Sequence, residues 1–220
     1  LTIPPQEIKS LAGDAKIIIC LRNPVDMIYS LHGETIYNGY ETESDFEKAL
    51  TLEYGRKSGL NIPSSATFIQ CLLYKENGLY SKHIQRWQEA FGKENVLIIL
   101  LDDLYKNALD STNKALEFLG LSELPELNNE VQNEAKDFTS LGLHQKFKSA
   151  KNWEKNLIRL LIPSKKIRER FLNKIYQANI KKTVKKTMST ELRNKLTQFF
   201  VEDIKATEKL IDRNLNHWMK

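Results

Sequence analysis

Two short β-branched runs, KIIICL at residues 16–21 and VLIILL at 96–101, constrain the fold of this chain more than any other feature. Each is too short for a helix and lacks alternation, as expected for a strand buried on both faces. Between them GLYSKHIQRWQEAF sets Tyr80, Ile84, Trp87 and Phe91 at i, i+4, i+7 and i+11, an apolar stripe at helical period. Such a stripe needs a flat partner, and the 96–101 strand, entered through the turn FGKEN, supplies one. Strand, helices and strand in this rhythm predict a parallel α/β sheet with helices packed on it.

The first strand passes into a helix with almost no linker. Asn23 suits the N-cap, Pro24 the first helical position, and Asp26 the third, where a carboxylate meets free backbone N–H groups and the helix dipole. A second helix is expected from about Ser44 to Tyr54, with Phe46, Leu50 and Tyr54 on one face and Gly55 as its stop. An apolar helix is expected near 66–75. After the second strand, Asp102 or Asp103 is expected to cap a helix carrying Leu116, Phe118 and Leu119 to a stop at Gly120. Metal binding by that Asp pair is the alternative. Past Pro125 no further strand is expected. Two helices at about 150–162 and 164–180 flank Pro163, and a last helix begins near Ser189 with Leu192, Leu196, Phe199, Ile204 and Ile211 inward.

The net charge of +5 is unevenly spread. Residues 146–187 carry 14 Lys and Arg against only Glu154 and Glu169, so the basicity is local. Trp153, Leu157, Leu160 and Leu161, then Ile167, Phe171 and Ile175, recur there at helical spacing. This suits two amphipathic helices with a solvated basic face, a lid for an anionic cofactor or acidic acceptor, a membrane-surface helix pair, or a nucleic-acid-binding stripe. The last is disfavoured, because Trp153 and Phe171 fall on the apolar side and no known nucleic-acid motif is visible. The two cysteines, Cys20 and Cys71, read as buried free thiols of a reducing compartment. With four scattered histidines and no ligand spacing, no metal is expected. No run approaches the roughly 18 apolar residues of a membrane span, and no signal peptide is recognisable at the start.

Arg22 falls where the first strand ends, the place where open α/β sheets take ligands, and its planar, permanently charged fork suits phosphate. Ser30 lies six residues past Pro24, roughly 9 Å along the helix axis, within reach of a phosphate lying beside the helix. Spacing alone leaves open that Arg22 pairs with a carboxylate and that Ser30 is merely solvated.

The stretch KIIICLRNPVDMIYS, 16–30, matches the pattern K-I-I-x-x-x-R-N-P-x-D-x-x-x-S and so resembles the sulfotransferase superfamily that uses 3′-phosphoadenosine 5′-phosphosulfate (PAPS). GLYSKHIQRWQEAFGKENVLIILLDDL and ALEFLGL are similar to that family's G-x-Y-x-x-x-L-x-x-W-x-x-x-F helix, next core strand and following segments. The ending MSTELRNKLTQFFVEDIKATEKLIDRNLNHW is similar to the last helix of many bacterial members. Bacterial and Golgi-type members look closer than the cytosolic small-molecule enzymes, whose RKGxxGDWK segment is missing.

The resemblance implies a P-loop-type, three-layer α/β fold, with a parallel central sheet flanked by helices and a helical C-terminal third, as one domain over 1–220. It implies that Arg22 and Ser30 bind the 3′-phosphate of PAPS or of its product 3′-phosphoadenosine 5′-phosphate (PAP). It implies no metal, and an acceptor hydroxyl or amine on a glycan, lipid or small metabolite. Family members begin with a phosphate loop resembling P-K-S/T-G-T-S/T, followed by a His or Glu base. Neither fits before Lys16, and the chain begins at Leu1 rather than Met. The expectation is therefore an N-terminally incomplete domain with no catalytic residue of its own and the base upstream. A nucleotide kinase is the nearer enzymatic alternative, and a noncatalytic basic module binding membrane or nucleic acid the other. A bacterial cytoplasm is the expected location, with the Golgi lumen as alternative. His32 reads as packing rather than a base, and Tyr80 and Trp87 as core rather than an acceptor site.

Overall fold

The computed structural model describes residues 4–127, 136–138, 159–160, 162–182 and 188–220. The elements are α1 (Pro5–Leu11), β1 (Ile17–Leu21), α2 (Pro24–Asn38), α3 (Phe46–Lys57), α4 (Tyr74–Asn77), α5 (Ser81–Phe91), β2 (Val96–Leu100), α6 (Leu101–Lys106), α7 (Ala108–Leu119), β3 (Lys136–Phe138), α8 (Lys165–Asn179), β4 (Ile180–Lys182) and α9 (Thr190–Ile211). The chain divides into two compact units, one of Leu1–Ser30, Tyr74–Glu130 and Met188–Lys220, the other of Leu31–Leu73 and Val131–Thr187.

In the first unit β1 and β2 pair in parallel from Ile17↔Val96 to Leu21↔Leu100, so the two β-branched runs find each other as expected. Helices α5, α6 and α7 all contact β2, and α5 also packs against α1 and α9. The stripe on α5 behaves as predicted: Tyr80, Ile84 and Phe91 are buried, and Trp87 is half-buried against the Phe91 ring at 5.7 Å. Burial on both faces of β1 is not observed. Ile18 and Cys20 are exposed, because side chains alternate along a strand and no described element covers the face they share. Cys71, which belongs to the second unit, is half-buried, and burial pushes its thiol up.

Ser189 caps α9 by accepting from the Leu192 amide. One inward position differs from expectation: Phe199 is 49% exposed, and Phe200 is the buried ring beside Leu196 and Ile204. Gly78 explains that choice. A Cβ at Gly78 would stand 2.5 Å from the Phe200 ring, so the chain entering α5 passes flat against α9 only because the side chain is absent.

In the second unit α3 begins at the Asp45 cap, whose carboxylate accepts from the Lys48 amide. It runs through Gly55 to Lys57. Gly55 does not stop the helix but admits the returning loop: a Cβ there would meet Asn61 Nδ2 at 2.9 Å. The buried face is Phe46, Ala49, Leu50, Glu53 and Arg56, leaving Tyr54 exposed. Arg56 and Glu41 form an ion pair at 2.8 Å with 1% and 0% of their side chains exposed. Arg56 also donates to the carbonyls of Asn61 and Leu72, and Glu41 accepts from the amides of Thr42 and Glu43. Instead of the helix expected near 66–75, the segment folds as a 3₁₀ turn over Ile69–Leu72 and the short α4. Strands β3 and β4 pair antiparallel, so strands do occur past Pro125. Helix α8 confirms the expected start after Pro163, whereas the helix expected at 150–162 falls largely outside the described residues.

Gly78→Ala should lower the free energy of unfolding by about 1–3 kcal/mol through overpacking against Phe200. Urea denaturation would check this, and an unchanged midpoint would contradict the contact.

Candidate functional site

Arg22 is the first residue past β1, and the helix signals around it act as the sequence predicts. Asn23 Oδ1 accepts from the Val25 amide at 3.0 Å, Pro24 opens α2, and the first helical backbone bond runs from the Met27 amide to the Asn23 carbonyl. Arg22 is half-buried. Ser30, also half-buried, sits on α2 one turn beyond Asp26, and the i, i+4 spacing places both on one helix face. Asp26 does more than meet the helix dipole. Its Oδ1 pairs with Arg193 Nη2 at 2.5 Å, so a carboxylate standing between Arg22 and Ser30 in sequence is neutralised from α9.

Residues distant in sequence hold this strand-to-helix turn. The Tyr80 hydroxyl donates to the Arg22 carbonyl at 3.0 Å, and Asn23 Nδ2 donates to the Trp218 carbonyl at 3.1 Å. The Tyr80 and Trp218 rings meet edge-on at 6.4 Å. Asp203 on α9 takes the Tyr80 amide at 2.7 Å, and also accepts from the Ser81 amide and hydroxyl, which anchors the start of α5. Burial pushes the Tyr80 phenol well above its ordinary value, against the opposing pull of Arg22, so it remains a protonated donor.

Asp102 and Asp103 do not cap the helix that carries Leu116, Phe118 and Leu119 to Gly120, which is α7; they lie inside the separate short helix α6, whose N-cap is Leu100 with no side-chain bond. The C-terminal segment captures both carboxylates instead. Asp102 Oδ2 accepts from Trp218 Nε1 at 2.7 Å and lies 2.9 Å from His217 Nε2, while Asp103 pairs with Arg213 at 3.0 Å. Burial raises the Asp102 carboxyl, but the hydrogen bonds from His217 and Trp218 together outweigh it and hold the group below the usual carboxylate range. Asn107, with no part in the sequence reading, caps α7 by accepting from the Asp110 amide. Among the described residues no group of three or more His, Cys, Asp and Glu is placed to hold a metal ion.

The other sequence candidates serve packing. Tyr80 is buried, and Trp87 stacks within the α5 stripe. His32 is buried against Phe46, with Nε2 at 2.8 Å from the Glu43 carbonyl, and burial lowers its pKa. One cleft of about 360 Å³ in the second unit is lined by Thr42, Glu43, Leu52, Arg56, Asn61, Ile62 and Pro63, and contains neither Arg22 nor Ser30. Asp203 and Arg193 carried no recognisable signal in the sequence, and Asp102 carried a misleading one, that of a helix cap. Trp218 did carry one, as the last residue of the terminal stretch that resembles the final helix of bacterial members.

Residues 3–209 match the family described as "Sulfotransferase domain". Carbohydrate sulfotransferase 15 of Mus musculus is 28% identical over 133 residues, covering 54% of this chain and 22% of that protein. Heparan sulfate glucosamine 3-O-sulfotransferase 3B1 of Mus musculus is 25% identical over 137 residues, covering 62% of this chain and 33% of that protein. The chain thus aligns with a third or less of the length of these relatives. Among solved structures, a sulfotransferase from Alicyclobacillus acidocaldarius superposes with a TM-score of 0.62 at 24% identity, over 98% of this chain and 62% of that one, which establishes the α/β fold. On the match over residues 3–209, the chain belongs to the sulfotransferase domain family.

Proposed function

We propose that the protein takes a sulfuryl group from PAPS and that Arg22 and Ser30 bind the donor's 3′-phosphate. The observation that carries this is a contrast between neighbouring charges. Asp26 is paired with Arg193, whereas among the described residues no carboxylate pairs with the Arg22 guanidinium. A guanidinium with no carboxylate partner at the carboxyl end of a strand suits an anionic ligand, and its fork matches phosphate oxygens bidentately. The Ser30 hydroxyl adds a neutral donor further along α2.

When bound, PAPS supplies an activated sulfuryl group for transfer to an acceptor oxygen or nitrogen. The task of Arg22 and Ser30 is to bind and orient. Removal of the acceptor proton and stabilisation of the leaving oxygen need a base and further cations, which the family resemblance assigns to its phosphate-loop segment. This reading gives the residues of this chain no proton transfer and no metal.

The acceptor we propose is an anionic glycan. The two curated relatives are named for carbohydrate and heparan sulfate substrates. Helix α8 carries Lys165, Lys166, Arg168, Arg170 and Lys174 against Glu169 alone, and a field of that sign concentrates polyanions. A lipid acceptor remains the second reading, favoured by the exposure of Ile167 and Phe171 on the same helix. Among the described residues no helix is long and apolar enough to cross a membrane. Exposed, unpaired Cys20 fits a reducing location such as the cytoplasm.

Calorimetric titration with PAP, with adenosine 5′-phosphate as the control, tests the donor. The protein should prefer PAP by at least about tenfold, the weight of one charged phosphate contact. Arg22→Ala should erase that preference and Ser30→Ala should reduce it. Equal affinity for the two nucleotides in the full-length protein would overturn the reading and favour a kinase-like site.

Arg193→Ala should weaken PAP binding by a few fold, because the Asp26 charge would then act uncompensated beside the anion. The loss should diminish as salt is raised, and an effect independent of salt would point to a packing role instead. For the acceptor, replacing Lys165, Lys166 and Arg170 with Glu should raise KM for a heparan-type acceptor by about tenfold at low salt and leave PAP affinity unchanged. Steady-state kinetics would read both.

A further inference from the structure

The Arg22 carbonyl falls in a gap between two hydrogen-bonding systems. The parallel ladder ends at Leu21↔Leu100, and the first backbone bond inside α2 is accepted by the Asn23 carbonyl. The intervening carbonyl is half-buried and needs a partner from elsewhere, since an unsatisfied buried acceptor costs free energy comparable to a lost hydrogen bond. The Tyr80 hydroxyl is that partner, at 3.0 Å.

Tyr80 is itself fixed at both ends. Its backbone amide is held by Asp203, and its ring lies edge-on to Trp218, whose indole N–H is tied to Asp102. On the other side of the same peptide, Asn23 is held to the Trp218 carbonyl. The Arg22 carbonyl is therefore held by the side chain at the α5 start, and the side chain of the next residue by the backbone of the C-terminal segment. A long flexible arginine gains affinity for phosphate when its backbone is fixed beforehand, because less freedom is lost on binding.

Resting on the PAPS reading, we infer that Tyr80 is a positioning residue that aims Arg22 at the 3′-phosphate through its hydroxyl, without touching the ligand. Tyr80 was expected only to pack, and its ring does pack. The hydroxyl, not the ring, carries the further role.

Tyr80→Phe isolates the hydroxyl, because the ring keeps its place against Trp218. In the full-length protein, titration with PAP and with adenosine 5′-phosphate should show PAP affinity falling about five- to tenfold in Tyr80→Phe. Affinity for adenosine 5′-phosphate should stay as in wild type, so the preference for the 3′-phosphate falls by the same factor. A purely structural role would lower the melting temperature and weaken both nucleotides alike, and an unchanged preference would overturn the inference. Arg22→Ala, run in parallel, separates the two levels. If it abolishes the preference while Tyr80→Phe keeps it, the PAPS reading stands and the role of Tyr80 is refuted. If the wild-type protein shows no preference, the PAPS reading fails and the inference fails with it.

Discussion

The turn from β1 into α2 is held from the far end of the chain, and the geometry of the first unit follows from that hold. Asn23 uses its two side-chain atoms for different ends: the oxygen caps α2, and the nitrogen reaches Trp218, 195 residues away. Asp26 reaches Arg193 across 167 residues. Either contact alone is modest, since a partly exposed ion pair contributes roughly 0–1 kcal/mol and a single hydrogen bond about 1 kcal/mol. Their shared consequence is geometric. The end of the strand, the cap and the first helical turn cannot move independently of α9 and the terminal tryptophan.

This arrangement explains why the most specific stretch of sequence is also densely bonded. The proposed phosphate contact would require Arg22 to be ordered while its guanidinium stays available, two demands that conflict if a carboxylate supplies the order. Here the order comes through the backbone: Tyr80 takes the Arg22 carbonyl and Asn23 the next side-chain contact. The nearby carboxylate is removed from competition by Arg193. Asp203 extends the same logic one layer outward, since it ends α5 at its N-terminus and thereby sets the position of Tyr80.

Local rules recovered the elements whose causes are local. The β-branched runs became β1 and β2, Asn23 and Ser189 cap their helices, and the α5 stripe is buried at Ile84 and Phe91. The candidate pair Arg22 and Ser30 was legible because strand end and helix flank are fixed by spacing. What spacing could not show is anything decided by a partner elsewhere. Asp102 and Asp103 look like caps until the C-terminal segment takes them, and Gly55 looks like a stop until the loop at Asn61 passes over it. Helical periodicity could not choose between Phe199 and Phe200, because adjacent residues lie about 100° apart on a helix and a shallow stripe accepts either. The space left by Gly78 decided it. The outward-facing Ile18 and Cys20 show the converse limit, since a run of β-branched residues reports strand character and not which face is covered.

Three arginines show how surroundings assign a task to the same side chain. Arg56 is buried with Glu41 and has each of its donor groups occupied by a carboxylate or a carbonyl. Such a pair fixes conformation more than it adds stability, because desolvation consumes most of the attraction, yet removing one partner strands a buried charge. Arg193, about a third exposed, sits where it cancels a single carboxylate. Arg22 has neither arrangement among the described residues: its backbone is held, and its charge is not matched by a carboxylate. Composition alone ranks these three alike, and of the three only Arg22 stands at the carboxyl end of a parallel strand. Position and pairing together, rather than charge, are the grounds on which an anion is proposed at Arg22 and not at the other two.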